Sequence, residues 1–183
     1  NRIVYGVLKD NAALINDGIA LFNAATHKNL TTSSGTAMSV ASLNVAYKLM
    51  AEQTGLNSGV FVAVEPQYLL IPPGLRGTAL ELLGSTANPA SSNAGVTNIW
   101  QNGLTPVVDV ELSTAAGGSD TAWHLAANSS TVDTVEYAYL QGLETPAFER
   151  QNMFDRLAIA MRMYQCFGAK ALDYRGLYKN TGA

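Results

Sequence analysis

Charge is what this chain has least of. Charged residues make up 14% of its 183 residues, against roughly 25% in an ordinary soluble domain. A surface so poor in charge fits one covered by subunit contacts, whose buried centres are depleted in charge, and equally a small, neutral, Ala/Ser/Thr-rich monomer. The formal net charge of -3 and the lack of any Lys/Arg cluster argue against a dedicated nucleic-acid binder, since phosphate neutralisation needs clustered cations. There is a single cysteine, Cys166, which excludes an internal disulfide and fits a reducing compartment. No run of about 18 apolar residues marks a membrane span, and no basic start with an apolar core marks a signal peptide. Synthesis and use in the cytoplasm are therefore expected, with no membrane partner.

Catalytic signatures are equally scarce. The chain has no phosphate-cradling glycine loop with its lysine, no Gly-x-Ser-x-Gly elbow, no His-Glu-x-x-His and no Cys-x-x-Cys. The two histidines, His27 and His124, Cys166 and scattered carboxylates are the only material for chemistry. Asp120 and His124 are four apart in a stretch that reads as strand, where such residues lie about 13 Å from each other, too far for a dyad. Asp109 and Glu111 alternate with Val108, Val110 and Leu112, so both carboxylates are expected on the exposed face of one strand. Acid-base work needs unequal, partly buried environments. His27, in a polar stretch beside Lys28 and Asn29, is expected to make a structural hydrogen bond, because a metal site needs three or four converging ligands. Cys166 reads as a small buried hydrophobe. No catalytic, cofactor-binding or metal residue is assigned, and no cofactor is expected.

At 48% hydrophobic, the chain is long enough for one sizeable core or two small lobes. Ile3, Val4, Val7 and Leu8 read as the apolar face of a helix. Asp17-Gly18 marks a turn, followed by a short apolar segment at 19–22 and a polar stretch at 26–35. Ser39 is the expected N-cap of a helix that runs to about Thr54 and stops at Gly55. Val40, Leu43, Tyr47 and Met50 form one stripe on it, with Ala41, Val45 and Leu49 in a second beside it. Residues 60–64 read as a strand covered on both sides, broken by Pro66, resumed at 68–71 and ended by Pro72-Pro73. A helix is expected over 75–83 with Ala79, Leu80 and Leu83 inward, then a loop over 85–98, a strand over 108–112, a flexible loop over 113–121, and strands over 123–127 and 135–140. The aromatic residues Trp100, Trp123, Tyr137, Tyr139, Tyr174 and Tyr178 are core fillers by default and contact anchors if the chain assembles.

The end of the chain is the most informative stretch. In Ala171-Leu-Asp-Tyr-Arg-Gly-Leu-Tyr-Lys-Asn180, Leu172, Tyr174 and Tyr178 alternate with Asp173, Arg175 and Lys179, the pattern of a strand with one wet face. Residues 157–167 also alternate, although Leu157, Met161 and Tyr164 would fit a helical stripe; with Gly168 as the turn, the two segments are expected to form an antiparallel pair that buries both apolar faces together. The fold class is α+β, with helices on mostly antiparallel strands.

This stretch, taken with Asp17-Gly-Ile-Ala-Leu-Phe22, His27-Lys-Asn-Leu30 and Glu65-Pro-Gln-Tyr-Leu-Leu-Ile-Pro-Pro73, resembles the major capsid proteins of tailed bacteriophages with the HK97-type fold. Mu-like prophage head subunits and the capsid halves of protease-capsid fusions are the closest in look. The likeness runs in order over most of the chain and rests on the spacing of several segments rather than on one motif. It implies a structural protein, not an enzyme: a head subunit that forms pentamers and hexamers of an icosahedral shell around phage DNA, made in the host cytoplasm and ending in the virion. It implies peripheral and axial lobes, with residues 1–54 and 142–183 in the peripheral domain and 55–141 in the axial domain, crossing back at 142–146, and the 85–98 loop as a tip facing neighbours. It further implies a fragment that lacks the N-terminal arm, the extended loop and most of the spine helix, and that does not form shells alone. No cross-linking Lys and Asn pair aligns. An encapsulin-like compartment shell and a small cytosolic hydrolase are the rival readings; the hydrolase needs a pocket that brings His27 or His124 beside a carboxylate.

Overall fold

A computed structural model describes residues 2–32, 37–55, 59–89 and 95–183. The parts of the expected 26–35 and 85–98 loops at 33–35 and 90–94 lie outside the described residues. The elements are α1 (Arg2–Asp10), β1 (Leu30–Thr31), α2 (Val40–Ala51), β2 (Pro66–Ile71), α3 (Arg76–Gly84), β3 (Thr105–Val108), β4 (Trp123–Ala127), β5 (Val135–Tyr139), β6 (Ala147–Asn152), β7 (Ile159–Tyr164), β8 (Phe167–Ala171) and β9 (Leu177–Asn180), with short 3-10 turns at Pro73–Leu75, Val110–Leu112 and Thr114–Ala116.

A five-stranded sheet in the order β1-β9-β4-β2-β3 forms the centre. Its inner pairings, β2 with β4 and β4 with β9, are antiparallel. Its edges are parallel, β1 to β9 and β3 to β2, a mixture that the alternation of single strands does not reveal.

Period-two alternation sorts the side chains into two layers. Leu69, Ile71, Trp123, Leu125, Ala127 and Tyr178 point to one face, where they pack with Leu43, Ala46 and Met50 of α2 and Ala79, Leu82 and Leu83 of α3. Leu70, Ala126 and Leu177 point to the other, against Leu8 of α1, Leu14, Leu21 and Phe22. The sheet is thus sandwiched between helices on one side and α1 with the 11–22 segment on the other.

Local chemistry explains the elements that match the sequence. Ser39 caps α2 in a reciprocal box with Ser42, whose side chain accepts from the Ser39 amide at 2.9 Å while its own amide donates back to the Ser39 hydroxyl at 3.2 Å. Gly18 takes a positive φ of 70° in the turn after Asp17, and the Asp17 carboxylate accepts from the Ile19 amide at 2.9 Å.

Several expectations are corrected. On α2 the buried positions are Ser42, Leu43, Ala46 and Met50, while Ala41, Val45 and Tyr47 are exposed, so the helix lies on the sheet with one narrow face. On α1 only Leu8 is fully buried and Ile3 is exposed. Residues 60–64 are not a covered strand: Val60, Phe61 and Val62 are exposed and only Val64 is buried, the one ladder contact being a bridge from Phe61 to Thr54. Pro66 begins β2 instead of breaking a strand, where a missing amide is tolerated. On α3 Leu82 faces in and Leu80 out.

The strand expected over 108–112 ends at Val108, and Asp109 caps a 3-10 turn by accepting from the Glu111 amide at 2.9 Å. The 113–121 segment holds a 3-10 turn fastened by Asp120, which accepts from the amide and hydroxyl of Thr114. Residues 157–167 and 172–179 do not pair with each other. The first belongs with β6, which the sequence reading placed in no element, and Gly168 lies inside β8 instead of forming a turn. β9 is buried on both faces because it sits between β4 and β1.

Candidate functional site

The histidines and acidic side chains singled out for chemistry are held in structural surroundings. His27 is buried, its Nε2 2.8 Å from the Asp17 carboxylate and its Nδ1 3.1 Å from the Leu21 carbonyl oxygen. Tyr174 stacks on the ring at 3.8 Å and 7°. The Asp17 carboxyl is held below its usual range by the Ile19 amide and by His27. This is the structural hydrogen bond expected for His27. A histidine and a carboxylate do meet, but both ring nitrogens are occupied and one ring face is covered, so the imidazole offers a substrate no free lone pair.

His124 lies in the middle of β4 against Phe22, ring centroids 5.6 Å apart, with neither ring nitrogen hydrogen-bonded. Burial, and secondarily the neighbouring Lys179 ammonium, push its pKa down to about 3; it is a neutral core residue. Asp120 precedes β4 instead of sharing the strand with His124, and its hydrogen bonds to Thr114 lower its pKa.

Asp109 and Glu111 are half-buried and do not form an exposed pair. Glu111 lies 3.6 Å from Lys9 of α1, and Lys9 also donates to the Ala116 carbonyl at 2.7 Å. The Tyr5 hydroxyl is shifted up by burial and by the charge and hydrogen bond of Asp109. These contacts fasten α1 to the 109–116 segment. Cys166 is exposed, not buried. Among the described residues, no three His, Cys, Asp or Glu side chains converge as a metal site needs, and no helix is long and apolar enough to cross a membrane.

The unusual surface lies elsewhere. β5 pairs antiparallel with β8, from Val135↔Ala171 to Tyr139↔Phe167, and β6 pairs with β7, from Ala147↔Tyr164 to Asn152↔Ile159. The Leu140 amide donates to the Cys166 carbonyl between them at 3.3 Å, and the Gln165 side chain donates to the Glu144 carbonyl at 2.9 Å. The four strands therefore form one long hairpin ribbon, stepped where more residues intervene on the β5–β6 side.

Every residue from 148 to 166 is exposed. One face of the outer half carries Phe148, Ile159, Met161 and Met163, all large, apolar and open to solvent, together with Arg150 and Asn152. The other face is zipped by polar contacts. Arg162 lies 2.6 Å from Glu149, and the Tyr164 hydroxyl donates to Glu149 at 3.0 Å. The Arg162 and Tyr164 hydrogen bonds lower the Glu149 pKa, and the carboxylate raises that of Tyr164. At the base, Tyr137 and Tyr139 pack edge to face and both contact Phe167, on strands that remain largely open.

A two-stranded ribbon is marginal in water by itself, and monomers rarely leave contiguous large apolar patches uncovered. The arrangement suits intermolecular contact. Trp100, Trp123 and Tyr178 are core, as the default reading has them, and Tyr174 is half-buried against His27, whereas Tyr137 and Tyr139 are exposed. Sequence reasoning found β7 by its alternation but missed β6, whose one large apolar residue is Phe148.

The phage capsid protein family matches residues 1–180. Among solved structures, one from Mycobacterium phage Che8 is similar, with a TM-score of 0.53 and 12% identity over 97% of this chain and 56% of that one. The chain therefore spans little more than half the length of that structure. Among curated proteins none matches. With a match that runs from its first residue nearly to its last, the chain belongs to the phage capsid protein family.

Proposed function

We propose that the chain is the major head subunit of a tailed phage or prophage, built on the HK97-type fold, and that copies close an icosahedral shell of pentamers and hexamers around DNA without reading its sequence. As a phage capsid protein it is structural and belongs to the virion capsid. The observation that carries the assembly reading is the ribbon of residues 135–171, whose outer half is exposed throughout and carries four large apolar side chains on one face. The low charge content points the same way, as does a net charge that suits enclosing DNA better than gripping it.

The peripheral and axial lobes belong to this proposal. It keeps residues 1–54 with 142–183 as the peripheral part and 55–141 as the axial part. A role without catalysis is supported by the structural contacts that occupy His27, Asp109, Glu111 and Asp120. Synthesis in the host cytoplasm is part of the same reading.

Expression of the complete open reading frame that contains this chain, examined by negative-stain electron microscopy, tests the proposal. Closed shells tens of nanometres across are expected. Small monodisperse particles, both with and without the neighbouring scaffold and protease genes, overturn it. A peptide cargo instead of DNA inside the shells favours a cellular compartment.

A further inference from the structure

We propose that the tip of the ribbon, residues 153–158, docks into the groove between α1 and β8 of a second copy of this chain. The inference rests on the assembly reading and names the contact that would serve it.

The groove has a volume of about 260 Å³ and is lined by Ile3, Gly6, Val7, Asp10, Ala12, Ala13, Ala169, Lys170 and Ala171. Its walls are almost all small or aliphatic, and one carboxylate and one ammonium stand at its surface, both exposed. It is smaller than a typical small-molecule site of roughly 300–1,000 Å³ and suits one or two inserted side chains.

The tip supplies matching chemistry. Phe154 and Leu157 are fully exposed, the pair of apolar anchors that a shallow apolar groove can desolvate. Between them lie Asp155 and Arg156, also exposed, so the tip carries one charge of each sign, as the groove does. Arg156 would face Asp10 and Asp155 would face Lys170.

A copy cannot easily serve itself. The groove lies at the base of the ribbon, where β8 meets α1, and the tip lies at its far end. At the rise of an extended strand the two are separated by up to roughly 40 Å, so the occupant is a neighbour's tip. Such a contact is heterologous, the type that propagates around a ring.

Cysteine trapping tests the contact. In a Cys166→Ser background, three variants of the full chain are made with distinguishable tags: Leu157→Cys at the tip, Ala13→Cys in the groove, and Val45→Cys on the exposed side of α2 as control. Mixed pairs are oxidised mildly and resolved without reductant. A tip–groove heterodimer that forms several times faster than tip–control is expected. Arg156→Glu in the tip chain should slow it about fivefold, and Asp10→Arg in the groove chain should restore it. Equal rates for groove and control overturn the docking. So does a tip–groove cross-link that forms only within one chain when a fourth variant, carrying both Leu157→Cys and Ala13→Cys, is oxidised. If the complete open reading frame forms shells but tip–groove trapping stays at the control level, the docking fails while the capsid reading stands. If trapping is specific but no shells form under any condition, the contact stands and the shell reading fails.

Discussion

Acid should weaken this fold through His124. The ring sits inside a buried strand, beside Phe22 and near Lys179, with no acceptor for an added proton. Its pKa falls from the ordinary 6.5 to about 3 in the folded chain. Above pH 6.5 both states hold the ring neutral and nothing is lost. Below 6.5 the unfolded chain takes up a proton that the folded chain refuses until about pH 3, so stability falls with pH across that window. Each pH unit is worth about 1.4 kcal/mol, which makes the loss about 3 kcal/mol by pH 4.5 and about 5 kcal/mol over the whole window.

Urea unfolding followed by the fluorescence of the buried Trp100 and Trp123 measures this at pH 7 and pH 4.5, with His124→Leu as reference. The lowered carboxyl pKa values of Asp17, Asp120, Glu144 and Glu149 also remove stability in acid, but they remain in both proteins and cancel. The wild type should lose about 3 kcal/mol more than the variant. At pH 7 the variant should be no less stable, since it removes two buried nitrogens without partners. Parallel pH profiles for the two proteins refute the assignment.

Ser39→Ala removes the side-chain arm of the α2 capping box, the hydroxyl that accepts from the Ser42 amide, and should lower stability by about 1 kcal/mol, read as a fall in Tm of about 2–4 °C. Leu69→Ala opens a cavity between β2 and the helices and should cost about 2–5 kcal/mol in urea unfolding. Phe154→Ser, at a fully exposed position, should leave unfolding within about 0.5 kcal/mol of wild type while it reduces self-association in sedimentation velocity; a large fall in Tm would mean that the tip packs on its own chain.

Much of the local structure is legible in the residues. The Ser39 cap, the turn at Asp17-Gly18, the strands at 123–127 and 135–139 and the stop at Pro72-Pro73 follow from capping, positive φ, alternation and the missing proline amide, which are properties of a few neighbouring residues. The lack of catalytic motifs and the resemblance to phage capsid proteins are likewise sequence properties. The partners of each strand are not. Alternation fixes which side chains share a face but not what covers that face. Thus Ile159, Met161 and Met163 read as core and lie in solvent, while β9 reads as half-wet and is buried on both sides. The parallel pairing of β1 with β9 and the ribbon made by β5, β6, β7 and β8 bring together segments whose local sequences carry no mark of each other. The sequence by itself determined the local elements and the family, because propensity and capping act over a few residues. Only the tertiary structure decided which apolar faces are satisfied within the chain and which remain open for another copy, because burial depends on the whole packing.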